Sequence, residues 1–223
     1  MSTDTAPDTT TEATALIQAL LENGWSYTGP IRSEPQWRSR IHELASPDGR
    51  LSLDAAVFPD GHLTAHLSAE AIRTELAPVP GWMVDLHYVP LTVAVAAVKA
   101  AAAPTRAAHT GAAVNTALVL HRWARRPDVT ERGRLLEREW QSPDRRRFVR
   151  WFPADRHDEG GWDVGREGSE ATQISQHTPP AVIIALALTD VPDVPDEHAE
   201  HGAPTASSAV SGGGEPGHAQ DLH

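Results

Sequence analysis

The chain of 223 residues contains no cysteine. This absence excludes a disulfide framework and a thiolate-bound metal, and it is compatible with a reducing compartment. The N-terminus lacks the basic-then-apolar pattern of a secretory signal, so we expect no secretion. The longest apolar run, residues 91–103, is interrupted by Lys99 and is too short to span a bilayer. Together these absences predict a cytoplasmic protein with no membrane partner.

Basic residues are scarce and unevenly placed. The chain has 19 Lys and Arg residues against 30 Asp and Glu residues, and its net charge is −11. Residues 121–156 nevertheless contain 11 arginines against 6 acidic residues, whereas residues 190–223 contain 7 acidic residues and no Lys or Arg. The overall charge disfavours a nucleic-acid partner, but its distribution leaves one cationic band in the chain.

Both ends of the chain have a biased composition. Residues 1–14 are mostly Thr, Asp, Ala and Pro, and residues 190–223 are rich in Pro, Asp, Glu, Gly, Ser and His. Such segments bury too little apolar surface to offset the entropy of folding. We therefore predict a disordered N-terminus over residues 1–14 and a disordered acidic tail over residues 190–223.

Three short patterns occur twice in the sequence. They are a Ser-Pro-Asp turn, a Phe-Pro pair, and a histidine three residues before a proline that opens an apolar run. The copies are Ser46-Pro47-Asp48 and Ser142-Pro143-Asp144, Phe58-Pro59 and Phe152-Pro153, and His87 to Pro90 and His177 to Pro180. An internal repeat of this length predicts two similar structural units.

The local patterns indicate strands and helices in both units. Residues 51–57 alternate apolar and polar, as a half-buried strand does, and the prolines at 90 and 180 suit the start of a helix. Helices are also predicted over residues 13–23 and 114–126. We expect an α+β fold of two similar units of antiparallel strands, each closed by a C-terminal helix, with disordered acidic termini. The boundaries are a first unit over 15–103, a linker over 104–111 and a second unit over 112–189.

The Ser-Pro-Asp turns, the Trp-containing strand and the proline-opened, Ala-rich helix carry a resemblance to a known family. They resemble the SPDY domain of actinobacterial proteins, which is often found in tandem and is catalogued as being of unknown function. The resemblance covers about residues 20–103 and 112–189, on Ser46, Pro47, Asp48 and Pro90 and on Ser142, Pro143, Asp144 and Pro180. It implies no reaction, cofactor or catalytic residue.

Catalytic and metal-binding motifs are missing from the sequence. There is neither a Gly-x-Ser-x-Gly elbow nor a phosphate-cradling glycine loop ahead of a helix. His62 and His66 fall in a predicted strand, where they would lie about 13 Å apart, too far to share a metal ion. We therefore predict no enzymatic activity, no cofactor and no metal site.

The cationic band supplies the functional hypothesis. We expect Arg145, Arg146, Arg147 and Arg150 to bind phosphates, with Trp151 and Phe152 as stacking platforms, in a non-catalytic protein that binds single-stranded nucleic acid. In one alternative, the aromatic rings are core residues and the arginines pair with Glu131, Glu137 and Glu139. In another, the protein is an interaction or regulatory module that binds a protein partner or itself.

Overall fold

The computed structural model describes residues 10–34, 39–58, 62–73, 78–103 and 110–189. All of them belong to one compact unit. The predicted acidic tail, residues 190–223, the turn at 59–61 and residues 104–109 of the predicted linker lie outside the described residues.

Helices and strands occur in a repeating order along the described chain. The four helices are α1 (Thr10–Glu22), α2 (Leu91–Ala102), α3 (Thr110–Leu120) and α4 (Pro180–Leu188). The first six strands are β1 (Ser26–Tyr27), β2 (Arg32–Glu34), β3 (Ser39–Ala45), β4 (Leu51–Val57), β5 (His62–Ala69) and β6 (Trp82–Pro90). The other six are β7 (Ala124–Arg125), β8 (Val129–Glu131), β9 (Arg134–Gln141), β10 (Arg147–Phe152), β11 (Gly161–Arg166) and β12 (Thr172–Ser175). One helix, six strands and one helix are thus followed by the same sequence of elements.

All twelve strands form a single antiparallel sheet. Its order is β1-β3-β4-β5-β6-β12-β11-β10-β9-β7, with β2 paired to β3 and β8 to β9. The two sets of six strands meet at its centre, where Asp85 and Val84 of β6 pair with Gln173 and Ile174 of β12. The predicted α+β class, mostly antiparallel sheet with helices, is confirmed.

The helices pack on one face of this sheet, where the core lies. α2 contacts α4, β5 and β6, while α4 contacts α3, β10 and β11. One row of apolar side chains crosses the core face in register from strand to strand: Leu44, Leu53, Leu67, Val84, Ile174, Trp162 and Trp151. Burial of this continuous row, together with the α2–α4 contact, joins the two halves into one hydrophobic core.

Several elements differ from their predicted bounds. α1 begins at Thr10, inside the stretch 1–14 for which composition predicts disorder, because the helix that buries Leu16, Ile17 and Leu20 extends towards the N-terminus. Residues 1–9 of that stretch lie outside the described residues. α3 ends at Leu120 rather than 126, because Arg122 has a left-handed conformation and Trp123 turns into the core. The residues just before the second Ser-Pro-Asp turn form strand β9.

Candidate nucleic-acid interface

The second Ser-Pro-Asp motif forms a tight turn between β9 and β10. Ser142 Oγ donates to Asp144, whose Oδ1 also accepts from the backbone N–H of Arg146 at 3.1 Å. Ser142 Oγ in turn accepts from the N–H of Arg147 at 2.9 Å. The hydrogen bond from Ser142, followed by that from Arg146, lowers the pKa of Asp144. Asp144 is therefore a charged carboxylate engaged in the turn itself.

The first motif forms the same turn between β3 and β4. Ser46 Oγ donates to Asp48 at 2.7 Å, Arg50 N donates to Asp48 at 3.1 Å, and Leu51 N donates to Ser46 Oγ at 2.9 Å. The fourth residue is left-handed in both turns, with a φ of 67° at Gly49 and 61° at Arg145. Arg145 thus occupies a backbone conformation for which the first turn uses glycine.

A second such pair occurs where α1 and α3 end. Gly24 has a φ of 83° and Arg122 a φ of 63°. The next residue is a buried tryptophan in each case, and its N–H donates at 3.0 Å to the carbonyl of Leu20 or Leu118. A left-handed residue after a helix is usually glycine, because a Cβ is strained there. Arginine again stands where the first half has glycine.

Contacts and strand pairing bring these two arginines to one corner of the molecule. Ala124 of β7 pairs with Gln141, whose side chain accepts from Arg126 Nη1 at 2.9 Å and donates to the carbonyl of Arg145 at 3.3 Å. The guanidinium of Arg147 lies 5.7 Å from the Trp123 ring centroid. We call this cluster the basic corner; its members are Arg122, Arg126, Arg145, Arg146 and Arg147.

Most of the basic corner is open to solvent. Arg122, Arg126, Arg145 and Arg146 are exposed, and Arg147 is half-buried, donating from Nη1 to the carbonyl of Thr189 at 2.9 Å. Within the described residues, neither Arg122, Arg126 nor Arg145 forms a salt bridge. These three guanidinium groups are available to bind an external anion.

Arg150, the fourth arginine expected in the site, lies on the other face of the sheet. Its Nε donates to Glu139 at 2.8 Å and is 3.5 Å from Glu137, and its guanidinium stacks 4.1 Å above the Phe148 ring. Burial works to lower the pKa of Arg150, but the hydrogen bond and charge of Glu139 outweigh it and raise that pKa. Its charge is neutralised internally, by two of the three glutamates considered as partners in the alternative.

The two expected stacking residues are also separated by the sheet. Trp151 is partly buried against the core, with its ring centroid 6.1 Å from that of Trp162 and the Arg138 guanidinium 5.4 Å away. Phe152, half-buried at the end of β10, points to the opposite face, as successive strand residues do. The six expected residues therefore form no single surface, although three of them belong to the basic corner.

The face of the sheet without helices is acidic. One row of residues crosses it in register, adjacent to the apolar row of the core face: Glu43, Asp54, His66, Asp85, Gln173, Asp163, Arg150 and Glu139. His66 pairs with Asp85 at 2.6 Å, and burial raises the pKa of Asp163. The five carboxylates of this row outnumber its single arginine, Arg150, so the open face is unsuited to a nucleic-acid backbone.

Sequence reasoning missed Arg122 and Arg126 as members of a site, because both fall inside the helix predicted over residues 114–126, whereas α3 ends at Leu120. A comparison of the repeats would have found Arg122, since Gly24 precedes Trp25 as Arg122 precedes Trp123.

Within the described ranges, no three His, Asp or Glu residues are grouped so that they could hold a metal ion. The helices in those ranges are all too short or too polar to cross a membrane. No family model, curated protein or solved structure matches the chain.

Proposed function

We propose that the protein is a non-catalytic nucleic-acid-binding protein whose basic corner contacts backbone phosphates. The observation that carries the proposal is the arginine at two left-handed positions, 122 and 145, where the first half has glycine. A non-glycine residue in this conformation costs about 1 kcal/mol, so folding alone favours glycine at both sites. We infer that the guanidinium groups at positions 122 and 145 serve binding, and that this function outweighs the conformational cost.

This interpretation rests on a related proposal, that the two halves are copies of one ancestral unit, each closed by its helix, α2 or α4. The recurring order of elements, the matching turns and the sheet order that is symmetric about β6 and β12 support it. Positions in one half can then be compared with those in the other. The basic corner corresponds to Gly24, Thr28, Gly49, Arg50 and Leu51, so four of its five arginines are specific to the second half, and only Arg146 has an arginine as its counterpart.

The contact is electrostatic rather than based on stacking. Trp123, the aromatic residue of the corner, is only 5% exposed beneath Arg147, and Arg150, Trp151 and Phe152 lie elsewhere. A surface that offers guanidinium groups without free aromatic rings binds phosphates with little base selectivity. We therefore place Arg145, Arg146 and Arg147 in the interface with Arg122 and Arg126. The preference for single strands stays a prediction.

Fluorescence anisotropy with labelled single-stranded and duplex DNA across a salt series tests this proposal. Four to five phosphate contacts predict a slope of log K against log salt concentration of about −4. The Arg126→Gln variant should flatten that slope by about 1. A slope near zero, or no binding at low salt, would refute nucleic-acid binding.

A protein-interaction role is the second candidate, and the surface of α3 favours it. Val119 is 56% exposed and Leu120 77% exposed, only a few residues from Arg122. Exposed apolar side chains beside arginines are typical of protein interfaces. If this role is correct, a Leu120→Glu substitution would abolish capture of a protein partner. In the salt series, the wild-type protein itself would then show no affinity for DNA.

A further inference from the structure

The two halves of the sheet separate at one end of their central pairing. β6 continues to Pro90, but only Val84 and Asp85 pair with β12. Beyond that point a cavity of about 310 Å³ opens between the end of β6, the β11–β12 hairpin, α2 and α4. This volume is at the lower end of the range for small-molecule sites.

A strained bulge accompanies the separation. The β5–β6 register shifts between Leu63 and Ala65, and Tyr88 opposite this shift has a φ of 47°. Bulges bend the strand that contains them, and an aromatic residue with positive φ costs free energy. The chain therefore sustains local strain at the rim of the cavity.

The interior of the cavity is apolar. Its walls include Val89 from β6, Val93 from α2, Val164 from β11, and Leu186 and Ala187 from α4. Such walls suit an aliphatic or aromatic body and offer few hydrogen bonds to water.

Two arginines lie side by side at the same cavity. Arg147 and Arg166 are direct partners in the β10–β11 register, so their side chains share a face, and both line the cavity. Like charges directly opposite each other destabilise a sheet. Within the described residues neither forms a salt bridge, although Glu170 and His87 also line the cavity. An anion between the two guanidinium groups would relieve their repulsion.

We propose that this cavity binds a small monocarboxylate with an apolar body. The carboxylate lies between Arg147 and Arg166, and the body fills the space against Val93 and Leu186. Paired guanidinium groups match a carboxylate in geometry as well as charge. The site shares Arg147 with the basic corner, whereas Arg166 lies outside that corner, so a substitution of Arg166 tests carboxylate binding separately from nucleic-acid binding.

Isothermal titration calorimetry of the full chain tests the proposal. The ligands are hexanoate, octanoate and decanoate, each below its critical micelle concentration. We expect affinity to rise along the series and 1-octanol to bind at least about tenfold more weakly than octanoate. Arg166→Gln should weaken octanoate binding by about tenfold. The matched control Arg156→Gln, at an exposed arginine in the loop after β10, should leave it unchanged.

Both variants replace exposed side chains, and equal melting temperatures will verify that they fold. The proposal would be overturned if none of the three acids bound, or if octanoate and 1-octanol bound equally well. It would also be overturned if Arg166→Gln and Arg156→Gln had the same effect on octanoate binding.

Discussion

Ser142 and Arg145 lie in the same turn but have different roles: one stabilises the fold, and the other has a backbone conformation that is unfavourable for its residue type. Ser142 is 2% exposed and serves both as a donor to Asp144 and as an acceptor from Arg147 N. Arg145, three residues later, is exposed and strained. Ser142 and Asp144 thus specify the turn by their hydrogen bonds. The side chain at position 145 is not needed to form the turn and can serve another function.

The Ser142→Ala variant should be destabilised by about 1–2 kcal/mol, because it removes the acceptor of the part-buried N–H of Arg147 and one of the two donors to the Asp144 carboxylate. Urea denaturation monitored by tryptophan fluorescence measures this cost. The control Ser169→Ala removes an exposed hydroxyl that donates to a carbonyl within its own turn, and it should cost less. Equal costs would show that the Ser-Pro-Asp turn has no special structural role.

Elements were easier to predict than the surface they create. The strand over 51–57 and the helix from Pro180 to Leu188 follow directly from alternation and from proline chemistry, and both are confirmed. The basic corner could not be predicted from a local pattern, because it joins the end of α3 to a turn that comes after three further strands. The separation of Trp151 from Phe152, in contrast, follows from the two-residue period of β10.

The carboxylate of Asp128, in the loop after β7, connects β7 to β9 at the edge of the sheet. Asp128 accepts from Arg125 at 2.8 and 2.9 Å and from Arg138 at 3.1 Å, and these bonds, that of Arg138 foremost, lower its pKa to about 2. Since the pKa is depressed in the folded state, the stabilisation is present above the ordinary value of 3.8 and is lost as pH falls towards 2.

We therefore expect Asp128→Asn to flatten the decline of melting temperature between pH 4 and pH 2, about the interval over which the wild-type carboxylate takes up its proton. Calorimetric scans across this interval measure the effect. Unchanged slopes in the variant would mean that these ion pairs add nothing to stability.

At the scale of the whole molecule, charge is segregated. The basic corner lies at one edge, the open face of the sheet is acidic, and residues 190–223 carry 7 acidic residues without Lys or Arg. Like charges repel over about 8 Å at physiological salt, so the charge distribution favours the basic corner over the open face as the contact for a polyanion. Under the proposed function, the second half binds the nucleic acid and the first half contributes to the shared core.

Deletion of residues 190–223 should strengthen DNA binding at low salt, because it removes an acidic segment that competes for the arginines, and the gain should vanish at high salt. Anisotropy titrations of the two chains at both salt concentrations measure this difference. Identical affinities at low salt would rule out competition by the acidic segment.

The most direct test of the account is a titration of the Arg122→Gly/Arg145→Gly double variant with labelled duplex DNA, with Arg132→Gly as control. Arg132 is also exposed and left-handed, with a φ of 49°, but lies in the β8–β9 hairpin. We predict that the double variant melts no lower than the wild type, binds at least about tenfold more weakly and loses about 2 from its salt slope, while the control binds normally. Unchanged affinity of the double variant, or an equal loss in the control, would contradict the account.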